Sequence, residues 1–364
     1  MMRYFNLGFV TEFLSAQTRK QALLAGLIGS AFFAPSMQGQ VAYENGIGPF
    51  KTQTIELRAG WNAVYLEIEP TAAEPNAFFA DTPIEIAAAY YRPATSMEFF
   101  ESPTDFLGDR KSWSVWYAPD RDDALLSNLY RINAHTAYLI FSKEDYTWQV
   151  DGVSFFGSVK WHPNAYNLVG FSVAATELPT VEQFFDGADA HAPLKIYEMI
   201  NGTWTLIVEP AEKMIQPGVA YWAYSESASE FSGPLKVEFS NEAAGGVIFT
   251  GEVSTQEIQL TNVAGYPQNL NFSLEAGAAG QIPLEYVVRA LDGPNQPIES
   301  MGVTLPASQD VGPLEPGQAF KFVLRVDQSA ITAPITSTNL VITSDAGSRV
   351  VVPMICIRRD LMPQ

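Results

Sequence analysis

Apolar and polar residues alternate twice along the chain in the same context, each time after an aromatic residue and an asparagine. The first stretch opens with Gly60-Trp61-Asn62 and continues with apolar residues at every second position: Val64, Leu66 and Ile68. The second opens with Ala165-Tyr166-Asn167 and continues in the same way with Val169, Phe171 and Val173. A period of two is the spacing of a β-strand with one buried face. The pattern therefore predicts that two equivalent strands open two related units.

The similarity between the two stretches extends beyond their first strands. Each is followed by a proline, a few polar residues and a pair of phenylalanines, Phe78-Phe79 and Phe184-Phe185, which predicts a short helix. Each unit then closes with an aromatic strand, at residues 137–140 and 220–223. The second unit also contains Asn201-Gly202, a dipeptide typical of a two-residue hairpin turn.

These matches predict two small β-rich modules, each with a short helix. We place them at residues 43–152 and 153–235. The first module is longer because residues 92–112, which contain two prolines and one glycine, predict an extended loop. Since a module of this size buries its apolar face poorly when alone, we expect the two modules to stack on each other.

The last part of the chain, residues 236–364, consists of short alternating runs separated by turn residues. Alternation is clear in the run with apolar residues Phe320, Phe322, Leu324 and Val326. Seven or eight such strands in succession predict an immunoglobulin-like β-sandwich. The fold class is therefore predicted as mainly β, with two related modules followed by a sandwich. Because the chain has one cysteine, the Cys…Trp…Cys set of a true antibody domain is excluded.

The repeat resembles a known pattern in large secreted or surface proteins of environmental bacteria. The segments YNLVGFSV, KIYEMINGTW and QPGVAYWAY of the second module resemble the tandem "GWN…PGxAYW" repeats of those proteins, some followed by an immunoglobulin-like domain. The resemblance covers residues 50–235, and the first module departs from it where NAHTAYLI replaces the closing turn. The resemblance implies a surface location and a modular architecture, and it transfers no catalytic residue.

Residues 1–42 are predicted to be a secretory signal peptide. Arg19-Lys20 precede an apolar stretch of about a dozen residues that ends in small residues, which is the order of a signal. The stretch is shorter than the roughly 20 residues of a membrane span. A buried N-terminal helix and a retained anchor are the alternatives. We expect a secreted, extracellular or cell-surface protein, with the periplasm as the alternative location, and no membrane span apart from this signal.

The charge of the chain restricts its possible partners, and its cysteine content restricts its possible crosslinks and metal sites. The net charge of −19 over 364 residues disfavours nucleic acid as a partner. The single Cys356 lies in an apolar run, where it is expected to fill the core, and it permits neither an intrachain disulfide nor a cysteine metal cluster.

The sequence contains none of the common catalytic or metal motifs. Its three histidines stand apart from each other, and neither a nucleophile elbow nor a phosphate-binding loop occurs. We therefore predict no enzymatic activity and no metal site formed by histidines. A glycoside hydrolase stays open as an alternative, because its two carboxylates can be far apart in sequence.

Two groups of residues are candidates for ligand binding. Four tryptophans could stack on sugar rings if they are exposed: Trp113, Trp116, Trp204 and Trp222. Three aspartates could bind calcium, the only cofactor the sequence suggests: Asp120, Asp122 and Asp123. Packing in the core is the competing interpretation of the tryptophans, and a helix start that of the aspartates.

The leading functional hypothesis is a non-catalytic structural or adhesive protein. Its expected partner is a protein or polysaccharide of the cell envelope or extracellular matrix. A carbohydrate-binding module is the second hypothesis and depends on exposed tryptophans. A glycoside hydrolase is the third and depends on two carboxylates that face each other in a cleft.

Overall fold

A computed structural model describes residues 48–91, 112–240, 242–290 and 299–362. The predicted signal peptide, and nearly all of the predicted loop at residues 92–112, lie outside the described residues. The described chain is built mainly from β-strands, with two short α-helices. The predicted fold class, two related modules and an immunoglobulin-like sandwich, is confirmed.

The first module consists of two sheets that enclose one apolar core. Its elements in chain order are β1 (Phe50–Leu57), β2 (Gly60–Leu66), β3 (Ile68–Pro70), α1 (Pro75–Phe78), β4 (Ile84–Tyr90), β5 (Trp113–Tyr117), β6 (Thr136–Ser142) and β7 (Tyr146–Ser154). The four-stranded sheet has the order β2-β6-β4-β5, and the three-stranded sheet has the order β1-β7-β3. The core between them includes Leu66, Phe79, Trp116 and Trp148.

The second module repeats the four-stranded sheet of the first. Its elements are β8 (Ala165–Gly170), α2 (Val181–Phe185), β9 (Ile196–Ile200), β10 (Thr203–Leu206) and β11 (Ala220–Ser225). The strand order β8-β11-β9-β10 places the first, fourth, second and third strands side by side, as β2-β6-β4-β5 does. Strands β9 and β10 form the predicted hairpin, because Ile200 pairs with Thr203 and both Asn201 and Gly202 have positive φ.

The asparagine that follows each opening aromatic residue closes the turn before its strand. The Arg58 backbone N–H donates to Asn62 Oδ1 at 2.9 Å, and Asn62 Nδ2 donates back to the Arg58 carbonyl at 2.8 Å. In the second module the His162 N–H donates to Asn167 Oδ1 at 2.8 Å, and Asn167 Nδ2 donates to the His162 carbonyl at 3.1 Å. The asparagine is thus a structural residue in both modules.

The closing strands also share their polar contacts. The Tyr138 hydroxyl accepts a hydrogen bond from the Asn133 N–H, and the Tyr221 hydroxyl accepts one from the Gln216 N–H, both at 2.9 Å. Each tyrosine hydroxyl therefore holds the backbone five residues upstream, where the chain enters the strand. At the far end of these strands, Ser142 and Ser225 each donate to the carbonyl two residues further on.

The two four-stranded sheets stack face to face, as expected from their size. A shared apolar cluster joins residues of both sheets: Ala63, Tyr65, Ile86, Ala88, Trp113, Val115, Tyr117, Ala137 and Leu139 from the first, and Leu168, Trp204, Ala220 and Trp222 from the second. The rings of Tyr90 and Trp222 lie 4.8 Å apart edge to face. The backbone also crosses the interface, because the Tyr65 N–H donates to the Gly218 carbonyl at 2.8 Å.

The third unit is a sandwich of two five-stranded sheets. Its strands are β12 (Leu235–Phe239), β13 (Val247–Thr250), β14 (Thr255–Asn262), β15 (Gln268–Ala276), β16 (Leu284–Ala290), β17 (Glu299–Thr304), β18 (Ser308–Leu314), β19 (Ala319–Val326), β20 (Ile335–Ser344) and β21 (Arg349–Ile357). The sheet orders are β12-β14-β19-β16-β17 and β13-β21-β20-β15-β18. Cys356 lies fully buried in the core between them, as its apolar neighbours predict.

The sandwich packs against both modules through a mixture of apolar contacts, backbone hydrogen bonds and ion pairs. Phe156 in the linker between the modules lies 4.7 Å from Phe239, and its N–H donates to the Gly245 carbonyl at 2.8 Å. Arg349 forms an ion pair with Glu67 at 3.0 Å. The three units therefore meet around the linker at residues 155–164.

The paired asparagines give a test of the repeat at the level of single hydrogen bonds. Asn167 is 2 % exposed, whereas Asn62 is half-buried. Asn167→Ala leaves buried backbone groups without a partner, so we expect it to lower the free energy of unfolding by roughly 2–4 kcal/mol. We expect Asn62→Ala to lower the free energy of unfolding by about 1 kcal/mol less than Asn167→Ala does, because water can replace the contacts of the Asn62 side chain. Urea denaturation of both variants measures the difference. An equal loss of stability in the two variants, or a larger loss in Asn62→Ala, contradicts the structural role that we assign to the two asparagines.

Candidate functional site

The four candidate tryptophans are all buried. Their exposed fractions are 0 % for Trp113, 3 % for Trp116, 7 % for Trp204 and 0 % for Trp222. The prediction of a sugar-stacking platform is therefore wrong. The physical reason is that each four-stranded sheet is covered on both faces, so that alternation along a strand directs neither set of side chains to water.

The tryptophans divide between the two faces of the sheets. Trp116 faces the core of the first module, 4.5 Å from the ring of Phe79, and its Nε1–H donates to Asn76 Oδ1 at 2.8 Å. The other three lie in the cluster between the modules, and Trp222 lies within 6.1 Å of both Trp113 and Trp204. Their role is packing.

The three candidate aspartates do not converge on one point. Arg121 binds both carboxylate oxygens of Asp123, at 2.9 and 3.1 Å. Asp120 lies on the surface 3.9 Å from Lys143, and Asp122 is exposed. No group of three or more potential metal ligands occurs within the residues that the structure describes. The prediction of a calcium site at Asp120, Asp122 and Asp123 is corrected accordingly, since the cations of Arg121 and Lys143 occupy the space beside the carboxylates.

The segment at residues 118–135, which we call the β5–β6 loop, exposes large apolar side chains. The exposed fractions are 98 % for Leu125, 54 % for Leu126 and 79 % for Tyr130. Leu125 and Leu126 lie on a single 3₁₀ turn that begins after Asp123. The predicted helix start is thus a short turn, and Asp123 makes its ion pair with Arg121 in place of a side-chain cap.

The backbone of the β5–β6 loop is fixed along the edge strand β5. The Val115 N–H donates to Asn128 Oδ1 at 2.6 Å, and the Tyr117 N–H donates to Ser127 Oγ at 3.0 Å. The Asn128 N–H donates to the Val115 carbonyl at 2.8 Å. These contacts cover a sheet edge that would otherwise be open. They also hold Leu125 and Tyr130 on the outside of the molecule.

The equivalent loop of the second module also exposes apolar residues. It connects β10 to β11 and carries Val208, which is 78 % exposed, and Met214, which is 41 % exposed. Both modules therefore present apolar side chains between their third and fourth strands. The packing of the sheets does not require this, because their cores are closed by other residues.

A cavity of about 820 Å³ lies where the two modules and the sandwich meet. Its lining includes Tyr65 and His135 from the first module, Trp161 and Ser229 from the second, and Arg349 from the sandwich. Oppositely charged side chains pair within it, Arg349 with Glu67 and Lys236 with Glu230 and Glu238. Its volume falls within the range of small-molecule sites.

His135 bridges two parts of the chain at this junction. Its Nε2–H donates to the Phe155 carbonyl at 2.7 Å, and its Nδ1 accepts a hydrogen bond from the Tyr65 hydroxyl at 2.8 Å. Gly157 gives the ring its space, since a Cβ at that position would lie 2.6 Å from His135. Burial lowers the pKa of His135, and the bond to Phe155 and the charges of Glu67 and Glu69 oppose only part of this shift.

The backbone at His135 is left-handed, with a φ of 49°, a region that favours glycine. Counted back from the closing tyrosines, the equivalent position in the second module is Gly218, with a φ of 73°. The sequence repeat therefore contained a signal that His135 is unusual, because this histidine stands where the second module has the glycine of Pro217-Gly218. His135 thus occupies the turn before β6, but the local sequence pattern did not indicate the contacts of its ring.

Ser229, which lines the cavity, contacts a buried histidine behind it. His191 is 2 % exposed, its Nδ1–H donates to the Tyr224 carbonyl at 3.1 Å, and its Nε2 accepts from Ser229 Oγ at 3.0 Å. Burial lowers the pKa of His191, which favours the neutral ring. The Phe231 N–H donates to the same Ser229 Oγ at 3.1 Å. These contacts account for the buried histidine as part of the packing of the 226–233 loop.

His135, which is half-buried, and His191, which is buried, predict a pH dependence of stability between pH 7 and pH 5. In the unfolded chain each histidine takes up a proton near its ordinary pKa of about 6.5, whereas the folded protein holds both rings neutral to lower pH. The unfolded state therefore binds more protons as the pH falls below about 6.5, and stability is lost in that direction. The loss is at most about 1.4 kcal/mol per pH unit for each histidine.

Urea denaturation at a series of pH values measures this dependence. We expect His135→Asn and His191→Asn each to reduce the slope between pH 7 and pH 5. A slope in either variant equal to that of the unsubstituted protein contradicts the assignment. Stability from the carboxylates with a lowered pKa, such as Asp145 and Asp327, is lost only as the pH falls below about 4, outside this window.

Comparisons with known proteins find similarity at the level of fold only. No protein-family model matches the chain, and no curated protein matches it. Among solved structures, a FixG-related protein from Vibrio parahaemolyticus aligns with 34% of this chain and 94% of its own, at 14% identity and a TM-score of 0.20. The Salmonella enterica SafA pilin in complex with the SafB chaperone aligns with 35% of this chain at 13% identity and a TM-score of 0.23.

The YadV chaperone aligns with 36% of this chain at 10% identity and a TM-score of 0.22. This chain spans about half the length of the SafA–SafB and YadV chains, 56% and 55%. Overlaps this limited do not bear on function. Within the described ranges, no helix has the length and apolar character needed to cross a membrane.

Proposed function

We propose that this chain is a non-catalytic interaction protein, secreted or displayed at the cell surface, and that it binds a protein partner of the envelope or matrix through the β5–β6 loop. The observation that carries the proposal is the exposure of Leu125 and Tyr130 on a loop whose backbone is fixed to β5. Exposed apolar side chains grouped on a polar surface are typical of contact sites between proteins.

The loop has the physical properties of a preorganised contact. Its backbone is held by the Asn128 and Ser127 side chains, so binding would order few additional groups. Tyrosine is one of the side chains that dominate binding energy at protein interfaces. Asp120 and Asp122 lie exposed on the same loop, which favours a partner surface with an apolar centre and basic residues around it.

The proposed location depends on the predicted signal at residues 1–42 and on the charge of the chain. A net charge of −19 supports solubility and disfavours attraction to nucleic acid, which is compatible with this location. A polysaccharide partner loses its main support because the four candidate tryptophans are buried. A protein is therefore the partner that we favour.

A photo-crosslinking amino acid at position 130 tests the proposed contact. We expect Tyr130→benzoylphenylalanine, expressed in the producing bacterium and irradiated, to give one dominant crosslinked protein in the envelope or medium fraction. Val253, which is 44 % exposed on the sandwich, is the matched control position for the same probe. Mass spectrometry identifies the species, and fractionation of the same cells locates it.

The proposal also requires that the crosslink depends on the exposed apolar side chain of Leu125 on the same loop. Leu125→Ser in the same chain is expected to reduce the yield at least about tenfold, since one buried leucine contributes roughly 1.5–3 kcal/mol. Identical crosslink patterns at positions 130 and 253, or recovery of the chain only in the cytoplasm, would overturn the proposal.

The non-catalytic part of the proposal has its own test at the Ser229–His191 contact. A serine nucleophile activated by histidine reacts with fluorophosphonate reagents. We expect no stoichiometric labelling of the protein, because the Phe231 N–H donates to Ser229 Oγ and occupies a lone pair that a nucleophile needs. Intact-mass measurement after exposure to the reagent decides the question, with Ser229→Ala as the matched control. Labelling that disappears in Ser229→Ala would show a reactive serine and an enzymatic function.

A further inference from the structure

A lysine, a glutamate and an asparagine from three strands meet at the contact between the first module and the sandwich. Lys51 lies on β1, Glu275 on β15 and Asn339 on β20. The Lys51 ammonium forms a short ion pair with Glu275 Oε2. Asn339 Nδ2 donates to the same oxygen at 3.2 Å. One carboxylate oxygen therefore holds both the amine of the lysine and the amide of the asparagine.

The asparagine is placed where its amide is shielded from water. Asn339 is 0 % exposed, and its Nδ2 also donates to Ser154 Oγ at 2.8 Å. Its Oδ1 is buried and has no hydrogen-bond partner among the described residues. An amide whose oxygen faces no donor is held only through its nitrogen, which leaves the carbonyl carbon without a hydrogen-bonded neighbour on the oxygen side. The Lys51 side chain is 25 % exposed and approaches from the surface side.

We propose that Lys51 and Asn339 become joined by an intramolecular isopeptide bond, with Glu275 as the group that transfers protons between them. The proposal does not depend on the proposed binding function. It requires the three side chains, the approach of Lys51 Nζ to Cγ of Asn339 across the shared Glu275 oxygen, and the exclusion of water from the Asn339 amide.

The reaction balances with the groups present. The Glu275 carboxylate takes a proton from the Lys51 ammonium, and the neutral amine attacks Cγ of Asn339. The new Nζ–Cγ bond forms, the Cγ–Nδ2 bond breaks, and Glu275 passes the proton to the departing nitrogen. Nζ also gives up a second proton, so the nitrogen of Asn339 leaves as ammonium, and no oxidant, reductant or cofactor is required. The chain loses one positive charge.

The electrostatic surroundings set the starting state of this reaction. Burial opposes the ionisation of Glu275, but Lys51, Asn339 and the charge of Arg349 outweigh it and hold the pKa of this carboxyl below its ordinary value. Glu275 therefore starts as a carboxylate, the form that accepts the lysine proton. Arg349 is itself paired with Glu67.

The bond would tie the ends of the described chain together. It would join a strand at residues 50–57 to one at residues 335–344, so that the enclosed loop includes both modules and most of the sandwich. A disulfide cannot serve this purpose, because the chain has only Cys356. An isopeptide bond needs no particular redox environment and resists reduction.

Peptide mapping of the purified full chain tests the proposal. The bond removes one ammonia, so the Lys51 and Asn339 peptides should appear as one linked species about 17 Da lighter than their sum. Trypsin should also fail to cleave after Lys51. The linked species should be absent from Lys51→Arg, which keeps the ion pair, and from Glu275→Gln. Lys321→Arg is the control, since it alters an exposed ion pair with Glu257 that contacts no asparagine amide.

The outcomes are unambiguous. A linked peptide in the unsubstituted chain and in Lys321→Arg, but in neither of the other variants, supports the bond. Circular dichroism of Lys51→Arg shows that the variant folds. Recovery of separate, full-mass Lys51 and Asn339 peptides from the folded, unsubstituted chain would overturn the proposal. A linked peptide that persists in Glu275→Gln would overturn the role of Glu275.

Discussion

The fold depends on the apolar interface between the two four-stranded sheets. Trp113, Trp222 and Tyr90 form its centre, with ring centroids 4.8–6.1 Å apart. Aromatic side chains contribute the largest apolar areas per residue, and edge-to-face pairs add further stabilisation. Because each sheet covers the aromatic face of the other, neither module could be removed without exposing the tryptophans of its partner. The pair of modules, rather than one module, is therefore the unit that folds.

Within this unit a few polar side chains fix the repeated geometry while the rest of the sequence differs. Asn62 and Asn167 close equivalent turns, and Tyr138 and Tyr221 hold equivalent backbone amides. These groups satisfy backbone donors and acceptors that a buried turn would leave unpaired. Other positions of the repeat can therefore differ between the modules. His135 stands where the second module has a turn glycine, and its ring contacts Tyr65 and Phe155.

The sequence was sufficient to predict the strands, the repeat and the sandwich, because a period of two and turn residues report directly on local structure. Alternation along a strand cannot reveal that both faces of a sheet are covered. For this reason the sequence left Trp113 and Trp222 open as candidate binding residues, although both are buried. It also could not reveal that Arg121 would occupy the space beside Asp123. The Lys51–Glu275–Asn339 contact joins strands far apart in the chain, and only the packing of three units brings them together.

The interface between the two modules and the junction between the modules and the sandwich differ in physical character. The module pair is held by a continuous aromatic cluster, whereas the sandwich is held by the Phe156–Phe239 contact and ion pairs such as Arg349–Glu67. Backbone hydrogen bonds such as that from the Ala174 N–H to the Gly347 carbonyl also cross this junction. The junction is thus more polar than the aromatic interface between the modules. A covalent tie from Lys51 to Asn339 would act at this polar junction, where it would close a loop and restrict the separated state.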